Sequence, residues 1–290
     1  MRVGVLVNPQ VPRWHEAAIE NVRALDGVRL TYAAVDAELR DESSTMKAGA
    51  EAIDRDSIVS PADLRLFYDV LSEDGLKAFL YADQKLGWHC FGETERRDWL
   101  RTRPVQSVDC LDGLEIEEWT PDSDGVWNTL PDDAVAEIER RCDVVLRFGF
   151  GLIKGDVLTA PEHGVLSVHG SDIRRYRGMG PKLSFLNDDE TVTVTLQRLT
   201  EEIDGGSIVS MSSADVPENA TLDEVGGLVY RLCTEVFADG VRKLQNGGDP
   251  WRPDSLGEYY SHDLQRKSPR FVGSVVLKNN YYRLRNSLTG

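Results

Sequence analysis

The run Val3-Gly-Val-Leu-Val7 comes almost at the start of the chain, and no other stretch constrains the fold as much. A continuous, largely β-branched run without polar alternation suits a strand covered on both faces. Such strands belong to parallel sheets flanked by helices. Asn8-Pro9 breaks the run. Trp14 to Leu25 then has helical spacing through Ala18, Val22 and Leu25, Gly27 ends it, and Val28 to Val35 reads as a second strand. Strand, helix and strand on short connections begin a mostly parallel α/β sheet. The turn Asn-Pro-Gln-Val-Pro lacks the glycines of a dinucleotide fingerprint, so no NAD is expected at this first crevice.

At 290 residues the chain suits one large domain with an appendage. Its net charge of −16 argues against a broad nucleic-acid surface, which needs clustered cations. Only 8 of the 33 basic residues are Lys, a balance that fits a halophilic, acidic proteome. No apolar run is long enough for a membrane span, and the first residues do not form a signal peptide, so a cytoplasmic protein is expected. Cys90, Cys110, Cys142 and Cys233 show no metal-ligand spacing and read as buried free thiols. No metal is expected: His163 and His169 are the nearest candidate pair, and no third ligand can be placed beside them.

Residues 36–130 are read as partly an insertion. The segment 36–60 is polar, with helix around Met46 to Ile53. Ser60-Pro-Ala-Asp63 starts an amphipathic helix running through Leu80, and Tyr81 to Trp99 supplies one or two more. Gln106 to Cys110 is predicted as a short strand and 111–130 as an acidic loop with Trp119 and Trp127 packed locally. Pro131-Asp132-Asp133 opens a helix to Arg141, acidic at its start and basic at its end. Thr221 to Leu244 is a long amphipathic helix. After Trp251 a turn-rich tail is expected, with a strand over Phe271 to Leu277. The expected organisation is one α/β domain over 1–247, whose chemistry-bearing half is 142–210, and an extension over 248–290.

In that half, Asp143 to Leu146 is a buried strand running into Arg147-Phe148-Gly149-Phe150-Gly151-Leu152-Ile153. Val165 to His169 is the next strand, and Val192 to Leu199 a third, antiparallel or at an edge. The glycines at 149, 151 and 155 after a strand invite a dinucleotide-binding reading, but too few residues precede Pro161 for the helix that follows such a loop. His169 and Asp204, 35 residues apart, are predicted to meet at the ends of adjacent strands.

Ser167-Val-His169, then Ser171-Asp-Ile-Arg174-Arg-Tyr-Arg177-Gly178, then Glu202-Ile203-Asp204-Gly-Gly206 resemble, in order and spacing, the signature of formyltransferases that use 10-formyltetrahydrofolate. The resemblance covers about 70 residues, from Cys142 to Val209, in a chain of ordinary single-domain size. It implies a Rossmann-like, mostly parallel sheet flanked by helices, and 10-formyltetrahydrofolate as cofactor. It implies His169, Asp204 and Ser167 as the catalytic set. The pterin would be held by Arg147, Phe148, Gly149, Phe150, Gly151 and Leu152 together with Glu202 and Ile203, and the substrate by Ser171, Arg177 and Gly178. Formyl transfer needs a donor for the oxyanion and a route for one proton, which this set supplies. Arg177 is suited either to an anion or to an ion pair that shapes the loop. Two positions depart from the family pattern: Ser167 stands where the family has Asn, and Arg174 where it has Pro.

The partner this implies is a small-molecule amine, most plausibly a nucleotide-linked amino sugar. Methionyl-tRNA is disfavoured by the acidic balance and by the short stretch after Pro250. Transfer of the formyl group to water, or a non-catalytic folate- or sugar-binding role, are the competing readings. A homodimer is among the assemblies the resemblance allows.

Overall fold

The computed structural model describes residues 1–37, 61–92 and 94–289. In it the opening run is β1 (Arg2–Val7), near the middle of a seven-stranded sheet. The helix α1 (Arg13–Arg23) returns the chain to β2 (Arg29–Asp36). The remaining strands are β3 (Ile116–Trp119), β4 (Val144–Arg147), β5 (Val165–His169), β6 (Thr191–Arg198) and β7 (Ser207–Asp215). Their spatial order is β7-β6-β5-β4-β1-β2-β3. Five strands are parallel, while β6 runs antiparallel to both β5 and β7.

Side chains alternate across this sheet. Val5, Val7, Leu146 and Leu166 face the larger core, and Leu6, Val145 and Val165 the smaller one. The larger core is closed by α1 and by α7 (Leu222–Gln245), and the smaller by α5 (Asp132–Arg141). Gly4 is needed where it stands, since a Cβ there would fall 2.6 Å from Cys142 Sγ. Thr221 caps α7 with a capping box: its hydroxyl accepts the Glu224 N–H and the Glu224 carboxylate accepts the Thr221 N–H.

Several expectations are corrected. The helix expected from Ser60 through Leu80 is interrupted at Gly75, which has φ +60°: the described residues form α2 (Pro61–Asp74) and α3 (Lys77–Phe91), and α4 (Glu95–Leu100) follows. Gln106 to Cys110 forms two short 3-10 turns rather than a strand. The acidic loop contains the edge strand β3, paired with β2, and a small antiparallel ribbon over Asp122–Asp124 and Trp127–Thr129. After the short helices α6 (Gly180–Leu186) and α8 (Asp263–Lys267), the tail ends in α9 (Pro269–Thr289), so Phe271 to Leu277 is helical. Phe271, Val272 and Val275 join the larger core. Cys90 is exposed, whereas Cys110, Cys142 and Cys233 are buried, and burial pushes each of those three thiols up to about 12. The helix expected around Met46 to Ile53 lies outside the described residues. Among the described residues, no helix is long and apolar enough to cross a membrane.

Candidate active site

Ser167 and His169 lie two apart on β5 and so point to the same face, at the strand's C-terminal end. Across the sheet β6 brings Gln197 opposite Ser167 and Thr195 opposite His169. The chain leaving β6 turns back at Asp204, which adopts φ +49°. That left-handed turn puts its carboxylate beside the imidazole, with His169 Nδ1 3.2 Å from Asp204 Oδ1. The Gly178 N–H donates to Asp204 Oδ2 at 2.9 Å, and Gln197 Nε2 donates to Oδ1 at 3.4 Å. Gln197 is fixed in turn by the Gly206 N–H, which donates to its Oε1 at 3.0 Å. Burial pushes the Asp204 carboxyl up, but the contacts with His169, Gly178 and Gln197 outweigh it and hold the group below the usual carboxylate range.

On the other side of the ring, His169 Nε2 lies 3.0 Å from the Tyr176 carbonyl oxygen and 2.9 Å from Ser171 Oγ. Ser171 Oγ is also 2.9 Å from the same carbonyl. The hydroxyl can therefore donate to Nε2 when the ring is neutral there. It can donate to the carbonyl when Nε2 itself carries a proton. Ser171 is 2% exposed, and a Cβ on Gly180 would fall 2.0 Å from its Oγ. Ser171 is thus packed behind His169, a correction to its expected place on the substrate.

Arg177 takes the second of its two expected uses. It forms an ion pair with Glu202 at 2.7 Å and donates to the carbonyls of Gly257 at 3.1 Å and Ile203 at 3.4 Å. That ties Glu202 and Ile203, and hence the Asp204 turn, to the loop carrying Gly178. Gly178 has φ +84°, and a Cβ on it would lie 2.1 Å from the Tyr260 carbonyl oxygen. Arg174, where a loop proline was expected, is bound to Asp172 by an ion pair of 2.7 Å and by its backbone N–H at 2.9 Å, which stiffens the same turn.

The position of Ser167 joins it to a residue from the neighbouring strand. Ser167 is 3% exposed, and its Oγ accepts from Arg147 Nη2 at 2.9 Å and Nε at 3.3 Å. Arg147 also donates to the Gly151 carbonyl. Burial brings its guanidinium down to about 10, with Asp204 acting in the opposite direction. With its lone pairs engaged by the guanidinium, the Ser167 hydroxyl is oriented to donate.

In the loop after β4 the two aromatic side chains turn inward. Phe148 packs among His15 and Phe237 at ring separations of 4.9 and 4.7 Å, and Phe150 is wholly buried with φ +63°. Only the backbone of these two can face a ligand, and the Phe150 carbonyl already accepts from Asn128 at 2.9 Å. A Cβ on Gly149 would meet Asn8 Oδ1 and the Val7 backbone, both at 2.5 Å. Gly151 is exposed and Leu152 half-buried at the rim.

His15, which belongs to none of the sequence motifs, stands beside Phe148. Burial first, and Arg147 second, hold its imidazole down at about 3, and its Nδ1 has no partner among the described residues. Its one signal in the sequence is a His flanked by Trp14 on an otherwise ordinary amphipathic helix.

Residues 129–238 match the profile of the formyl transferase family. A methionyl-tRNA formyltransferase of Thermotoga neapolitana is 32% identical over 143 residues, covering 47% of this chain and 46% of that protein. One of Rickettsia canadensis is 25% identical over 196 residues, covering 66% of this chain and 60% of that protein. The chain therefore spans about half the length of the curated relatives it matches. A sugar N-formyltransferase from Shewanella sp FDAARGOS_354 superposes with a TM-score of 0.53 at 13% identity, over 96% of this chain and 87% of that one. A 4-N formyltransferase from Francisella tularensis gives 0.51 at 12% identity over the same shares. These two share the fold. The matched segment contains Arg147, Ser167, His169, Ser171, Gly178 and Asp204.

Proposed function

We propose that this chain is a member of the formyl transferase family and moves a formyl group from 10-formyltetrahydrofolate to a primary amine on a small acceptor. The observation that carries the reading is the set formed by His169, Asp204 and Ser167 with Arg147, on one face at the end of β5. The donor molecule supplies an activated formamide. The amine nitrogen bonds to the formyl carbon, the bond from that carbon to the folate nitrogen breaks, and one proton passes from the amine to the leaving nitrogen.

Each step has a residue suited to it. Asp204, kept ionised at neutral pH, orients the imidazole and can accept a hydrogen bond from the incoming amine. His169 can carry the proton, because the Ser171 hydroxyl turns to match either state of Nε2. Negative charge growing on the formyl oxygen meets the Ser167 hydroxyl, backed by the Arg147 guanidinium. This is our account of how Ser167 substitutes for the family's Asn: the short side chain gains a neighbouring cation. The pterin is assigned to the backbone of Gly151, Leu152 and Ile203, of which Gly151 is exposed and the other two are half-buried.

The acceptor is taken as a nucleotide-linked amino sugar, and the protein as soluble and acting on small molecules in the cytoplasm. The test is an assay of 10-formyltetrahydrofolate with amine-bearing sugar nucleotides, glycinamide ribonucleotide, methionyl-tRNA and buffer alone. Transfer to a small amine is expected. His169→Ala should lower kcat by about 10²–10⁴ and Ser167→Ala by about 10²–10³. Failure of a 10-formyltetrahydrofolate analogue to bind the native protein in calorimetry would sink the reading. Turnover with methionyl-tRNA alone would reassign the acceptor, and formate release into buffer would make the chain a hydrolase.

A further inference from the structure

Two backbone groups of the loop 171–178 hold the His169–Asp204 pair. The Tyr176 carbonyl oxygen lies 3.0 Å from His169 Nε2, and the Gly178 N–H donates to Asp204 Oδ2 at 2.9 Å. The loop is held in turn by the C-terminal extension. A short strand there, Glu258–Tyr260, runs parallel to Tyr176–Gly178, with Glu258 beside Tyr176 and Tyr260 beside Gly178. Just before it, the Gly257 N–H donates to the Ile173 carbonyl at 2.8 Å, and the Gly257 carbonyl accepts from Arg177 Nε at 3.1 Å. A Cβ on Gly257 would fall 2.3 Å from the Arg175 carbonyl carbon and 2.4 Å from its oxygen. One on Gly178 would fall 2.1 Å from the Tyr260 carbonyl oxygen. These are backbone atoms, which cannot swing aside, so each segment carries a glycine where it meets the other.

Both ends of the segment are pinned. Trp251 exchanges two backbone hydrogen bonds with Ile208 of β7, at 2.7 and 3.0 Å, and beyond Tyr260 the residues Phe271, Val272 and Val275 of α9 join the larger core. Between these anchors the side chains also face the loop. The Arg174 guanidinium lies 5.9 Å from the Trp251 ring and that of Arg177 lies 6.0 Å from the Tyr259 ring. The rings of Tyr176 and Tyr260 meet edge to face at 6.3 Å. None of residues 251–260 is buried. The segment therefore adds little to the core, and its contacts go to the loop instead.

We propose that residues 251–260 are a strap that fixes the Tyr176 carbonyl and the Gly178 N–H, which makes Gly257 a positioning residue for His169 and Asp204. The strap stands outside residues 129–238, so the geometry of the site is completed by a segment the family match does not cover. The proposal rests on the formyl-transfer reading only for its effect on turnover, because the state of Asp204 reports the strap without any reaction. The Gly178 N–H is one of the contacts that favour the ionised carboxylate, so a loosened loop moves the Asp204 carboxyl upward.

The test is a carbon-13 NMR titration of the Asp204 carboxyl, run beside formyl-transfer kinetics, on the native protein, Gly257→Ala, Tyr259→Leu and Gly273→Ala. In Gly257→Ala the carboxyl should titrate at higher pH than in the native protein. Its kcat should fall by about 10²-fold, the scale of an ångström's misplacement, with KM within about twofold. Tyr259→Leu, at an exposed site, removes the ring beside Arg177 and should move both readouts the same way by less. Gly273→Ala on α9, where a Cβ would meet nothing within 4 Å, should change neither. Circular dichroism reports folding, and if Gly257→Ala does not fold, Tyr259→Leu decides alone. An Asp204 titration that stays at the native midpoint in the folded strap variants overturns the proposal. A shifted titration with kcat unchanged overturns it too, as does a shift of equal size in Gly273→Ala. A shifted titration where the native protein transfers formyl to no amine keeps the strap and removes the reaction.

Discussion

Replacing Asp204 by Asn removes a charge and keeps a shape, which separates its contribution to stability from its contribution to chemistry. Its folded pKa lies below the unfolded value of about 3.9. A depressed carboxylate contributes stability in full above the unfolded pKa, and that contribution is lost as pH falls through the folded value. Urea midpoints of the native protein should therefore drop between about pH 5 and pH 2, and those of Asp204→Asn should drop less steeply. Equal slopes would mean that His169, Gly178 and Gln197 do not favour the ionised form. At neutral pH the same variant should bind the folate analogue yet lose the proposed formyl transfer, because the amide carries no charge beside His169 Nδ1 and the incoming amine.

The helices and strands around this site depend on local chemistry that can be tested one end at a time. Thr221 satisfies the first turn of α7, and the neighbouring Leu222 N–H donates to Asn279 Oδ1 on α9 at 2.9 Å. Thr221→Ala should cost about 1 kcal/mol, with a range of about 0.5–2, read as a lower urea midpoint at unchanged m-value; no change would mean that Asn279 alone holds the end. The helix α7 was legible because its apolar positions recur at 3.6-residue spacing. The strand β5 was legible because its buried run is bounded by turns. By contrast, β3 is Ile-Glu-Glu-Trp at a sheet edge, where backbone pairing with β2 does the specifying and the side chains keep a loop's composition. Phe271 to Leu277 is β-branched, yet Val272, Val275, Asn279 and Arg283 form one buried stripe at helical spacing. Half of that stripe is polar, so periodicity of apolar residues alone missed it. At the site, His169 and Asp204 were readable from motif order. The meeting of Ser167 with Arg147, like the close packing of Ser171 against Gly180, depends on contacts between separate elements that no local pattern encodes.

Across the whole molecule, an acidic surface and a buried ion-pair network answer differently to salt. Arg283 on α9 bridges Asp83 of α3 and Asp223 of α7 at 3.1 and 2.9 Å, and Arg96 of α4 joins Asp223 at 3.0 Å. The side chains of Arg283, Asp83 and Asp223 are all under 10% exposed. Packing leaves no slack, since a Cβ on Gly87 would fall 2.2 Å from the Arg283 guanidinium. Arg283→Ala would leave Asp83 without its ion pair and Asp223 with Arg96 alone, a loss on the order of 3–5 kcal/mol. Screening shortens from about 10 Å at 0.1 M salt to about 3 Å at 1 M. The repulsion within a chain of net charge −16 should therefore relax, and the melting temperature of the native protein should rise over that range. Buried pairs are screened far less than exposed charges, so the deficit of Arg283→Ala should persist across the same salt series. Parallel melting curves offset by a constant amount would support both statements. A deficit that vanishes at 1 M salt would place the network's effect in the solvent-exposed field, not in the contacts that join α9 to α3 and α7.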